Sequence, residues 1–125
     1  MPYKFERLEV WELALQYLDL VYGIAQRLPC QEEHNLAAQM RRSATSICLN
    51  IAEGSTSQSD AEQARFLNMA IRSLVETVAC QHIVSRRRYL EDLNPLREAY
   101  RLSETLFAKL QAFKASLKAD RGQGA

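Results

Sequence analysis

The residues best suited to chemistry fall along one line. Arg42, Ser46, Asn50 and Glu53 follow one another by four, four and three positions, so on a helix their side chains stack in a ridge. Met40, Ser43, Ile47 and Ile51 form a parallel stripe with steps of three, four and four, as the buried face of that helix would. A guanidinium, a hydroxyl, an amide and a carboxylate in one row need partners. Three uses suit them: fixing register between helices, presenting a ligand or partner surface from Arg42, Asn50 and Glu53, or supplying an acid and a base. Ser73 and Glu76 form a second polar pair further along the chain. If the two segments pair antiparallel about a turn near Ser59, Arg42 meets Glu76, Ser46 approaches Ser73 and Glu53 approaches Arg65. A charge buried without a partner costs several kcal/mol, so Arg42 and Glu76 would need each other.

Catalysis finds little support in these residues. Di-metal bundle enzymes carry a histidine three positions after a glutamate, and neither His34 nor His82 stands in that relation. Ser46 or Ser73 with His82 could form a nucleophile and base, but no glycine-rich loop accompanies them to hold an oxyanion. The expectation is a non-catalytic protein with no metal and no cofactor, the alternative being an enzyme that uses Glu53 or Glu76. Cys30, Cys48 and Cys80 lack paired metal-knuckle spacing and read as reduced thiols, Cys48 and Cys80 among apolar neighbours. Zinc on Cys30 and His34, completed by Cys48 or His82, is the sharper alternative.

A second constellation is basic. Arg86, Arg87 and Arg88 precede Tyr89, and a guanidinium cluster beside an aromatic ring can hold phosphates and stack a base. Cations at a helix C-terminus also satisfy its dipole and free carbonyls, so a solvated helix end is the plain alternative. Arg41 joins the candidates for nucleic-acid contact, with Lys109, Lys114 and Lys118 as weaker ones. A net charge of +1 is too small for a global field, so any such binding must be local.

The elements that must position these residues are helices. Apolar stepping by three and four predicts an all-α chain with helices over about 8–28, 32–54, 59–88 and 95–118, and a polar tail over 119–125. Pro29 closes the first, and Gly54 closes the second by offering a left-handed conformation. Ser59 with Glu62 is the pattern of a capping box, and Asn94-Pro95 opens the fourth. Trp11, Ala14, Leu18, Val21, Ala25 and Leu28 form the predicted stripe of the first helix, and Leu96, Ala99, Ser103, Leu106, Leu110, Phe113 and Leu117 that of the last. Matched lengths and short connections predict one domain over 1–125, an antiparallel up-down-up-down four-helix bundle. Charges break every apolar run before a membrane span, and Met1 to Arg7 lacks a signal pattern, so the expected location is the cytoplasm with no membrane partner. Leu13, Leu20, Tyr22, Leu49, Tyr100 and Phe107 fall outside the main stripes, as a subunit contact or as a broad core face.

Leu8-Glu9-Val10-Trp11, Leu28-Pro29 with Glu33, Gln39 to Arg42, Ser46-Ile47 and above all Asn50-Ile51-Ala52-Glu53-Gly54 form a pattern, completed by Phe66-Leu67, Ala70, Ser73 and Glu76. Over about residues 5–118 it resembles the four-helix-bundle proteins of intervening sequences in large-subunit (23S) ribosomal RNA. These are similar in fold to the accessory variability protein of diversity-generating retroelements. The resemblance implies a homopentameric ring of bundles and an association with RNA. Arg72 departs from the family, which usually has glycine before the equivalent of Ser73, and Arg86-Arg87-Arg88 replaces a more apolar helix end. The expected function is an oligomeric binding or scaffold protein whose partners are other copies of itself and RNA. A protein-interaction adaptor ring without affinity for nucleic acid is the alternative.

Overall fold

A computed structural model describes residues 2–124, and the side chains of 2–117. A short 3-10 turn (Lys4–Arg7) leads into α1 (Glu9–Gln26), followed by a second 3-10 turn (Cys30–Glu32), then α2 (Leu36–Gly54), α3 (Asp60–Arg86) and α4 (Asn94–Gly124). No strand occurs among the described residues. Neighbouring helices run antiparallel. Tyr22 meets Thr45 between α1 and α2, Ser46 meets Ser73 between α2 and α3, Asn68 meets Lys114 between α3 and α4, and Glu9 meets Lys109 between α1 and α4. Each helix thus packs closely against two others, with α1 diagonal to α3 and α2 to α4.

The core is one continuous cluster drawn from all four helices. Met40, Ser43, Ile47 and Ile51 are buried as the stripe in α2 requires, and Leu96, Ala99, Ser103, Leu106, Leu110 and Leu117 line α4 inward. The α1 stripe is displaced from its predicted line. Val10, Ala14, Tyr17, Val21 and Ile24 are buried, while Trp11, Leu18 and Leu28 are only partly covered. Two adjacent stripes on α1 are both apolar, and periodicity ranks them equally; contact with α2 and α4 decides which faces inward. Tyr17 is fully buried, and its hydroxyl donates to Gln81 Oε1 across the bundle. Burial pushes that hydroxyl well above the usual phenol range. No described helix is long and apolar enough to cross a membrane.

The first and third helices end at Gln26 and Arg86, two residues before expectation, and other helix ends differ more. α2 begins at Leu36 because the chain first makes the 3-10 turn after Pro29, and the Glu32 carboxylate accepts from the Leu36 N–H at 3.3 Å and from Asn35 Nδ2 at 2.9 Å. Gly54 does not close α2 in a left-handed conformation, since no glycine in the described chain has positive φ. It is the buried last residue of the helix, and an added Cβ would lie 2.8 Å from Phe66 Cβ on α3. Close approach, not backbone freedom, is what requires glycine there. The ending is completed by hydroxyls: Ser55 Oγ donates to the Ala52 carbonyl at 2.7 Å and Thr56 Oγ1 to that of Glu53 at 2.8 Å. The segment read as a tail, 119–125, continues α4 as far as Gly124, because the helix is already nucleated and Ala119 and Arg121 readily extend it. At α3, Ser59 Oγ accepts from the Glu62 N–H at 3.2 Å, one arm of the predicted box.

Candidate nucleic-acid interface

The predicted polar ridge divides between the seam and the surface. In the α2–α3 seam, Ser46 Oγ and Ser73 Oγ share a hydrogen bond of 2.9 Å, and Asn50 Nδ2 donates to the Ser46 carbonyl at 2.9 Å and to Ser46 Oγ at 3.1 Å. One turn away, Thr77 Oγ1 lies 2.7 Å from Ser43 Oγ and 2.8 Å from the Ser73 carbonyl. These small hydroxyls bring two backbones close and pair the polar atoms they bury. Arg72 leaves this packing undisturbed because it points into solvent.

The charged members behave otherwise. Arg42 does not meet Glu76 directly: Arg42 Nη2 donates to Gln39 Oε1 at 2.7 Å, and Gln39 Nε2 donates to Glu76. Glu53 and Arg65 are both exposed and form no ion pair among the described residues. Exposed charges keep their hydration and gain little by pairing, so geometry decides. Glu53 and the residue that holds Glu76, Gln39, stand at opposite ends of α2, roughly 20 Å apart at 1.5 Å per residue. His82 packs edge to face on Tyr100 of α4, ring centroids 6.0 Å apart, whereas Ser46 and Ser73 face each other across α2 and α3. Neither arrangement assembles an acid–base or nucleophile–base pair. Cys30 is exposed while Cys48 and Cys80 are buried, and no group of three metal-ligating side chains gathers among the described residues. Burial pushes the Cys48 thiol up to about 11 and raises that of Cys80.

The three arginines end α3 in a Schellman motif. The Arg88 N–H donates to the Ser85 carbonyl at 3.1 Å and the Tyr89 N–H to that of Val84 at 3.3 Å, with Arg88 at φ 56°. It is the one described non-glycine residue with positive φ, at a position that glycine usually fills. Arg86, Arg87 and Arg88 are exposed and form no salt bridge among the described residues.

Tyr89 has another occupation. Its hydroxyl donates to Glu32 Oε2 at 2.6 Å, and the Arg87 guanidinium covers its ring at 5.8 Å from the centroid. Held along its edge and on one face, it anchors the corner and is not a free stacking platform. Glu32, which the sequence reading passed over, gathers the bonds from Tyr89, Asn35 and Leu36 into one joint between the α1–α2 connection and the end of α3. Those bonds, that from Tyr89 first, hold its carboxyl below the usual range. Its expected place at the start of the second helix was the only hint of this role. Arg41 is engaged too, 2.6 Å from Glu33 Oε1. Lys109 pairs with Glu9 at 3.1 Å and Lys114 bonds Asn68 at 3.2 Å, both remote from the arginine corner, and the Lys118 side chain lies outside the described residues.

The model of the 23S rRNA-intervening sequence protein family matches residues 6–112. The chain belongs to that family. The family match spans the α2–α3 seam and the arginine corner alike. Comparison with curated proteins finds no match. Among solved structures, the fold is similar to a protein of unknown function from the S23 ribosomal protein family of Bacteroides thetaiotaomicron. That likeness has a TM-score of 0.76 and 24% identity, covering 84% of this chain and 97% of the other.

Proposed function

We propose that this member of the intervening-sequence family is a non-catalytic, cytoplasmic RNA-binding protein that acts as a homo-oligomer. The observation that carries the RNA reading is the run Arg86-Arg87-Arg88: three exposed guanidiniums that form no salt bridge among the described residues, Arg88 held in a left-handed conformation. A helix end needs only a glycine there, so an arginine kept at conformational cost points to use of its charge. Family membership supports the same reading.

Self-association is supported by exposed apolar side chains on opposite sides of the bundle. Tyr22 and Leu49 flank a groove between α1 and α2, and Val75 and Phe107 line one between α3 and α4. Leu13 and Leu20 pack against the core and belong to a broad core face instead. A contact joining opposite faces is head-to-tail, which closes into a ring when the rotation permits. Five copies is the number implied by the resemblance, and a ring would repeat a weak phosphate contact enough to give avidity.

Anisotropy of a labelled ribosomal RNA hairpin across salt, with Arg86, Arg87 and Arg88 changed to alanine in parallel, tests the proposal. Salt-sensitive binding that the triple change abolishes is the expected result. Absence of binding at low salt would replace it with the protein-adaptor reading. Light scattering of the same samples reports the number of copies, and a monomer would remove the ring.

A further inference from the structure

Beside the arginine corner, α3 and α4 enclose an open cavity of about 460 Å³, within the range of small-ligand sites. Its apolar side is Leu93, Leu96 and Tyr100, and His82 stands edge to face with Tyr100 as an aromatic wall. Arg97 and Arg101, one helical turn apart, line it, and no carboxylate does. Arg86 follows His82 by one turn of α3 and Ser85 by one position, so the basic run begins next to the lining without being part of it. Gln81 lines it as well. Tyr17 occupies its Oε1 from within the core, while its Nε2 has no partner among the described residues. The nearest acids in sequence, Glu91, Asp92, Glu98 and Glu104, are outside the lining.

An apolar aromatic cleft with an amide donor and two lining guanidiniums matches a flat, polar-edged ring joined to a phosphate. We infer that this cavity receives an unpaired nucleobase of bound RNA, stacked on Tyr100, with flanking phosphates on Arg86, Arg97 and Arg101. The inference rests on the RNA reading above and deepens it: the protein prefers RNA with a bulged or looped-out nucleotide to a continuous duplex. Tyr100 takes the stacking role that Tyr89, tied to Glu32 and covered by Arg87, does not fill. Base–aromatic stacking is sequence-tolerant, so the preference concerns base accessibility more than identity.

Two hairpins test it, one with a single bulged 2-aminopurine and one with the same 2-aminopurine paired. The bulged hairpin should bind about tenfold more tightly, and its fluorescence alone should change on binding. Tyr100→Ala, and Ser85→Trp, which fills the cavity without removing a charge, should each bring its affinity to that of the paired hairpin, whose own affinity stays unchanged. Tyr100→Phe should retain the preference. Because Tyr100 also borders the groove assigned to self-association, Ser85→Trp carries the test alone if Tyr100→Ala alters the mass in solution. Equal affinities with silent 2-aminopurine overturn the cavity assignment and leave salt-dependent RNA binding standing. Failure of both hairpins to bind overturns the two together.

Discussion

Two glycines in similar helices should respond to alanine with opposite signs. In a helix interior glycine costs about 0.8–1.0 kcal/mol relative to alanine, from lost backbone entropy. A Cβ at Gly23, within α1, would meet nothing within 4 Å, so Gly23→Ala should gain about that amount. At Gly54 the new methyl would sit 2.8 Å from Phe66 Cβ. That atom is the root of its side chain, and no change of rotamer moves it away. α2 must then shift from α3 where the Ser46–Ser73 and Ser43–Thr77 contacts hold the helices together. Overpacking of this kind costs about 1–3 kcal/mol, and the helical gain is small at a final helical residue, so the net loss should be about 1–2 kcal/mol. For a chain of this length each kcal/mol moves Tm by about 3–5 °C. Thermal unfolding followed by circular dichroism, at one protein concentration, should place Gly23→Ala above the parent and Gly54→Ala below it. A Gly54→Ala protein as stable as the parent would refute the close-approach argument and return that glycine to a simple helix-end role.

Other perturbations follow from the same geometry. Arg88→Gly relieves the left-handed strain at the end of α3 and should stabilise the fold by about 0.5–1 kcal/mol in chemical denaturation, while weakening RNA binding in the hairpin assay. Glu32→Gln should lower stability at neutral pH. The folded-state carboxyl is held below its unfolded value, so its stabilisation is present above the ordinary carboxylate range and lost as pH falls through the folded value. The gap between parent and variant in urea midpoints should therefore close on acidification; a gap independent of pH would contradict the assignment. A thiol reagent under native conditions should modify Cys30 rapidly and leave Cys48 and Cys80 protected, since burial hides both and holds Cys48 protonated near neutrality; denaturant should expose all three.

Helix class, helix order and the polar seam were legible in the sequence because they depend on local spacing. A three-and-four apolar step forms an amphipathic helix wherever it occurs, and a short turn at Ser55–Ser59 makes α2 and α3 antiparallel neighbours, which was enough to set Ser46 against Ser73. The family resemblance was legible for the same reason, its residues lying in contiguous runs that the family match over 6–112 contains. Tertiary structure decided what depends on distance between segments. It chose Tyr17 and Ile24 over Trp11 and Leu18 as the inward face of α1, and placed Gln39 between Arg42 and Glu76. It also gave Gly54 a steric purpose and tied Tyr89 to Glu32, 57 positions away. The cavity beside Tyr100 belongs to that second class, since its walls come from α3 and α4 and no local pattern in either helix reveals the space between them.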